Sequence, residues 1–455
     1  MITAVRLTLL LIRRTTDKIT LLLPVAAFAV VTALSLTVVG GARFFFSLSD
    51  SDLGIMYPLL GSIAVILLVV PLITLCSAAA RLSTRRRDDR LATLRLLGAP
   101  RRMITQVTVL EATGLALVGS VLGVLGHLAL APITGLLHFH GEQLGFTRAL
   151  VTPTVAALCV LGLVVMATVS ALVGLRRVVV SPLGVRARQQ ATRFSAWRVI
   201  IFLAVLAVGV FAVGSLSSAF GAVGLIVVLG GAFGLAMAVL NLIGPPVVGA
   251  AARSRLNRST KQPLAPGLLA ARTVLDDPKA AWRQVSGVAM TSFMAVFGGV
   301  GVAISSMAAG HDSDPGMAAQ NQMLATDILT GVLVTITISF VTVACAVAIN
   351  AAAGVLDRRD QLRSLHQLGM PLRQVNASRR LAVRRPLVLV AAGSAIVAAI
   401  VVFPLTGIVL LVQPQTLLLV GSALVVGCAL VLAAVRLTDG LVARVVTDPA
   451  TAVVA

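Results

Sequence analysis

Long apolar runs alternate with short polar segments along the whole chain. A bilayer core about 30 Å thick needs about 20 apolar residues in one helix, and ten runs approach or exceed that length. They are residues 19–39, 55–80, 103–133, 153–175, 199–216, 222–248, 285–307, 326–355, 386–412 and 415–435. The pattern predicts an all-α integral membrane protein with ten transmembrane helices.

Basic residues lie almost entirely on one side of this pattern. Of the 37 lysines and arginines, only Arg43 and Arg148 lie outside the segments 1–18, 81–102, 176–198, 251–283, 356–385 and 436–455. The positive-inside rule therefore predicts that both termini lie in the cytoplasm. The chain has 34 arginines and only three lysines, which is typical of a GC-rich bacterial genome, so we expect a bacterial cell-membrane protein. The net charge of +21 follows from this topology, so we expect no nucleic-acid partner.

The connecting segments are too short for additional domains. The predicted outer loops after spans one and seven, residues 40–54 and 308–324, leave no room for a large extracellular domain. The longest inner segment, 251–283, is too short for a nucleotide-binding domain. No lysine in the chain follows a glycine, so the Gly-Lys-Ser/Thr of a phosphate-binding loop is missing. We expect no cofactor in this chain and no ATPase activity of its own.

One inner segment occurs twice. Residues 87–102 align without gaps on 358–373, with eight of sixteen positions identical. The arrangement of spans around the two segments also repeats. We therefore predict a first four-span unit over 1–183, a basic linker with a central two-span hairpin over 184–263, and a second four-span unit over 264–455.

The duplicated segment has the pattern of a short surface helix. Leucines recur at every third position, and charged residues lie between them. Gly98 and Gly369 suit the left-handed turn that ends a helix, and Pro100 and Pro371 prevent its continuation. A helix that only connects two spans would explain one copy. Its presence in both halves favours an element that receives force from a twofold partner.

At these residues the chain resembles the FtsX-like permeases, including the MacB-type and BceB-type ABC transporters. The shared pattern is Asp-x-x-Leu-x-x-Leu-Gly-x-Pro-x-Arg between the second and third spans, followed by Glu111-Ala112 and spaced glycines. The resemblance implies that the helix docks on an ABC ATPase homodimer in the cytoplasm, which binds ATP and Mg²⁺. The implied ATPase-coupling residues are Asp89, Leu91, Leu94, Leu97, Gly98 and Arg102, with Asp360, Leu362, Leu365, Leu368, Gly369 and Arg373.

Other candidate residues lie in the spans and outer loops. Glu111 is either a substrate or conformational-coupling residue, or a carboxylate near the inner surface paired with an arginine such as Arg379 or Arg380. Phe44, Phe45 and Phe46 suit contact with an amphiphile or an aromatic interface belt. The loop residues His138, His140 and Glu142 are read as an ordinary polar loop, so no metal site is expected.

Three functions remain open on the sequence. The leading hypothesis is a permease subunit that exports or extracts an amphiphilic substrate, such as an antimicrobial peptide, lipid or drug, by mechanotransmission from the ATPase. An ion-driven secondary transporter would need several ionisable groups along a membrane path, where only Glu111 and His127 stand out. A non-transporting membrane regulator is the third, and the lack of sizeable soluble domains disfavours it.

Overall fold

The computed structural model describes residues 18–47, 56–85, 100–180, 238–257, 265–309, 315–412 and 414–447. Helices account for most of them. They are α1 Lys18–Ser47, α2 Met56–Arg85, α3 Arg101–Gly135, α4 Phe146–Ala149, α5 Pro153–Val180, α6 within 238–257, α7 Ala265–Asp276, α8 Pro278–Ala309, α9 Pro315–Asp357, α10 Arg359–Gln367, α11 Leu372–Val412, α12 Pro414–Leu437 and α13 Asp439–Thr447. The strands β1 His138–Phe139 and β2 Glu142–Gln143 form one small hairpin between α3 and α4.

The described helices confirm an all-α protein of membrane-spanning type. Eight helical stretches in the described residues are long and apolar enough to cross a membrane. They coincide with predicted spans one to four and seven to ten. The fifth predicted span, 199–216, lies outside the described residues, and the sixth is described only from residue 238. The count of ten therefore stays a prediction.

Two helices extend well beyond their predicted apolar runs. Most of the predicted outer connection 308–324 is helical, because α9 begins at Pro315. Likewise α11 begins at Leu372, whereas its apolar run begins at residue 386. Alanine, glutamine, methionine and arginine favour helix strongly, so a helix continues into sequence that is too polar to lie in lipid.

The chain divides into two contact units, of which the first includes described residues 18–47, 72–85, 100–138 and 142–180. Here α1 packs along α3 and α5. A Cβ at Gly119 would lie 2.6 Å from Phe28 Cβ, and one at Gly123 would lie 2.5 Å from the Ala29 carbonyl oxygen. This pair of small residues therefore lies where α1 and α3 pack closely.

The second unit includes described residues 56–71, 139–141, 238–257, 265–309, 315–412 and 414–447. Helix α8 packs against α9, α11 and α12. Val288 of α8, Val343 of α9 and Leu387 of α11 are fully buried in this core. The indole of Trp282 donates a hydrogen bond to Asn241 of α6, 2.8 Å away. The domain limits 1–183, 184–263 and 264–455 stay a prediction.

Candidate coupling site

The second copy of the duplicated segment folds as a separate short helix, α10, between α9 and α11. Its backbone begins with the hydrogen bond from the Leu362 N–H to the Arg358 carbonyl oxygen, 2.9 Å. Asp360 lies in the first turn, where the positive end of the helix dipole stabilises a carboxylate. Leu368 follows the helix as its C-terminal cap.

The end of α10 is the glycine stop that the sequence predicts. Gly369 has a φ of +91°, in the left-handed region. The Met370 N–H donates to the Leu365 carbonyl oxygen at 3.0 Å, and the Gly369 N–H donates to that of His366 at 2.9 Å. These two bonds define a Schellman motif, which satisfies carbonyl groups that a helix end otherwise leaves open. The chain then enters α11 directly after Pro371.

The three leucines of this copy have different environments. Leu362 is buried at 8% exposure and packs with Val355, Val375 and Val442. Leu365 is half-buried, and Leu368 is 84% exposed. Positions three apart on a helix differ by about 60° in direction, so the leucines turn progressively away from the packed face. Leu362 is thus an internal anchor, and Leu368 is available to a partner.

Charged side chains are also exposed on and beside α10. Asp360 and Arg373 are exposed, at the start of α10 and of α11. Asp360 lies 3.7 Å from Arg359, an ion pair between exposed neighbours that contributes little to stability. The exposed surface of α10 therefore combines one apolar side chain with charges of both signs, a composition suited to a protein partner.

Only part of the first copy can be compared. Asp89, Leu91, Leu94, Leu97 and Gly98 lie outside the described residues, and Arg102 is in the first turn of α3. The backbone at the end of each copy is alike, because α3 begins directly after Pro100 and α11 directly after Pro371.

The structure places an additional polar cluster in the second unit, around Asp327. This side chain is 4% exposed and lies roughly three turns into α9. The Tyr57 hydroxyl donates to its Oδ2 at 2.7 Å, and the His140 N–H donates to the same oxygen at 3.0 Å. The Tyr57 and His140 rings are 5.6 Å apart.

Sequence reasoning missed this cluster, because Asp327 is the second residue of the predicted span 326–355 and therefore lies at its end. The available signal was that Tyr57 is the only tyrosine of the chain. His140 lies in the tight turn of the hairpin. His140 and Gly141 both have positive φ, at 57° and 74°. Positive φ at both central residues is the requirement of a type I′ turn.

The remaining candidate residues are not brought together at one site. Phe44 is buried, Phe45 is half-buried and packs edge-on against it, and Phe46 is exposed at the end of α1. Glu111 is half-buried in α3. Arg379 and Arg380 both pair with Asp439 of α13.

The hairpin residue Glu142 has a different partner from the neighbouring histidines. Glu142, next to them in sequence, pairs with Arg148 at 3.3 Å. In the part of the chain that the structure describes, no group of three metal-binding side chains converges.

A comparison with protein families supports the FtsX-like permease resemblance. Residues 79–182 match the model described as FtsX-like permease C-terminal. The match covers the first copy of the duplicated segment together with α3 and α5. It supports a permease-type membrane protein of the ABC transporter class. Members of that family are non-catalytic membrane subunits that generally work with an ATPase partner. No significant match was found among curated proteins or solved structures.

Proposed function

We propose that this chain is the membrane permease subunit of an ABC transporter, driven by a separate ATPase dimer in the bacterial cytoplasm. Both termini lie on the ATPase side, and the subunit is of the MacB/BceB type with ten spans. The observation that carries the proposal is α10. It is a short helix with an exposed end, and the first copy of its sequence falls inside the FtsX-like match.

The ATPase docks on the exposed side of α10 and on the corresponding segment 87–102. Leu368 supplies the apolar contact, because burying a leucine that is 84% exposed yields about 1.5–3 kcal/mol. Asp360 and Arg373 set the orientation of the partner by charge. Leu362 acts from inside by fixing α10 to the membrane region. ATP and Mg²⁺ bind to the ATPase, and closure of its dimer displaces α10.

The substrate is an amphiphilic molecule that the subunit exports or extracts from the membrane. Support comes from Phe46, which is exposed near the C-terminal end of α1. The basic segment 1–18 adjoins the other end of this helix. Arg43, three residues earlier in α1, donates a hydrogen bond to Thr152 at 3.0 Å. An apolar ring beside a cation suits a molecule with one apolar and one polar part.

Purification from the native membrane tests this function. We expect a phosphate-loop ATPase to co-elute with the full chain, and Leu94→Asp combined with Leu365→Asp to abolish co-elution without loss of membrane insertion. The control is Leu437→Asp, a change at an exposed leucine at the end of α12, beyond the predicted span 415–435. Unchanged co-elution of the double variant would contradict the docking assignment. Co-elution without ATP-dependent transport would favour a regulator.

Ion-driven transport is the second candidate, and the Asp327 cluster favours it. Asp327 adds a buried acid to Glu111 and to His127, which is 3% exposed and hydrogen-bonds Thr37 at 3.2 Å. Ionisable groups inside a membrane often mark an ion path. Uptake of a substrate driven by a pH gradient in liposomes without ATPase, and its loss in Asp327→Asn, would establish this alternative.

A further inference from the structure

We propose that α13 is a brace that joins the docking helix α10 to the span α11, so that both move together when the ATPase closes. The inference rests on the proposed function, because it concerns how a displacement of α10 reaches the membrane. In sequence α10 and α11 are connected only by the short turn that contains Gly369. Such a turn alone allows one helix to pivot on the other.

The first end of α13 is held by α11. Helix α13 begins at Asp439, and only Thr438 separates it from the end of α12. Arg380 donates from Nε to Asp439 Oδ2 at 3.0 Å, and Arg379 Nη1 lies 3.8 Å from Oδ1. Arg379 also donates to the Thr438 hydroxyl at 3.1 Å. The carboxylate stands in the first turn of α13, where the helix dipole stabilises it as well.

The other end of α13 is held by α10. Arg363 of α10 donates from Nε to the Val445 carbonyl oxygen at 3.0 Å. Val445 lies in the last turn of α13, where carbonyl groups have no partner within the helix. A guanidinium at this position satisfies one of them and faces the negative end of the dipole. The two ends of α13 thus bind two different helices.

An apolar cluster fills the space between these polar contacts. Val442 of α13 is fully buried against Leu362 of α10, Val375 of α11 and Val355 at the end of α9. Met370 of the connecting turn packs on the same cluster. Interiors packed in this way transmit displacement instead of absorbing it. Arg444 points away from the cluster and is exposed, so it provides a control position.

The first experiment needs no ATPase. Hydrogen exchange is measured on the full chain in nanodiscs for the wild type, Val442→Asp, Arg363→Met and the control Arg444→Gln. We expect exchange of the α10 amides to rise about tenfold in Val442→Asp and severalfold in Arg363→Met, with α1 unchanged in all four proteins. Arg363→Met keeps the apolar stem and tests the connection of α10 to α13 through a different contact if Val442→Asp does not fold. If the α10 amides of a folded Val442→Asp or Arg363→Met protein exchanged at the wild-type rate, the inference would be overturned.

The second experiment adds the co-purifying phosphate-loop ATPase and a non-hydrolysable ATP analogue. In the wild type we expect slower exchange in α10 and also in α13, whereas in Arg363→Met only α10 becomes protected. Protection confined to α10 in the wild type would overturn the brace. If the ATPase protects neither helix, the docking assignment fails instead, so the two failures are distinguishable.

Discussion

The hydrogen-bond partners of Asp327 come from distant parts of the chain. The carboxylate accepts hydrogen bonds from residue 57 in α2 and residue 140 in the hairpin. Two donors on one oxygen compensate part of the cost of burying this polar group. A sequence shows an aspartate at the start of an apolar run, but it does not show which donors will face it.

Tyr57→Phe should destabilise the second unit. The change removes only the hydroxyl, and loss of a typical intramolecular hydrogen bond costs about 0.5–1.5 kcal/mol. We expect a lower thermal unfolding midpoint in detergent. The matched control is Thr326→Val, beside Asp327, because the Thr326 hydroxyl is exposed and binds only its own helix at Gln322. Equal midpoints for Tyr57→Phe and wild type would show that the Asp327 cluster contributes nothing to stability.

The end of α10 was predictable at the residue scale, in contrast to Asp327. The positive φ of Gly369 and the helix start after Pro371 depend on residues within one turn of each other. The burial of Leu362 was not predictable, because it depends on Val442, which is 80 residues away in sequence. A sequence therefore predicts a helix end that depends on neighbouring residues, but it does not predict burial that depends on distant ones.

At the scale of elements, apolar runs located helices better than they located helix ends. A run of about 20 apolar residues measures the thickness of the membrane, not the length of the helix that crosses it. Helix α9 continues 11 residues before its predicted run, and α11 continues 14. In α11 these extra turns carry Arg379 and Arg380, the arginines that bind α13.

Gly123→Ala should separate α1 from α3. A Cβ at Gly123 would lie 2.5 Å from the Ala29 carbonyl oxygen and from Thr32 Cβ, so the helices must move apart. Overpacking of this kind costs about 1–3 kcal/mol. The measurement is the thermal unfolding midpoint in detergent.

Gly114→Ala is the control on the same helix. A Cβ at Gly114 meets nothing within 4 Å, and alanine favours helix over glycine by up to about 1 kcal/mol. We therefore expect the midpoint to fall in Gly123→Ala and to hold or rise in Gly114→Ala. The close-packing assignment would be wrong if the two changes had the same effect.

At the scale of the whole molecule, the duplicated segment is the feature that relates the two halves of the chain. The family match covers only residues 79–182, so it supports the first copy, and the structure describes the second copy as α10. The sequence alignment is what connects them. The two-unit arrangement remains a prediction, because most of the first copy and the predicted span 199–216 lie outside the described residues.

Photo-crosslinking from α10 tests the central claim most directly. A photoreactive residue replaces Leu368, which is 84% exposed, and in a second protein it replaces Met317, which is 59% exposed at the opposite end of α9 from α10. In native membranes we expect the probe at position 368 to crosslink a phosphate-loop ATPase and the probe at position 317 to crosslink none. No ATPase adduct at 368, or equal adducts at both positions, would contradict the claim that α10 docks the ATPase.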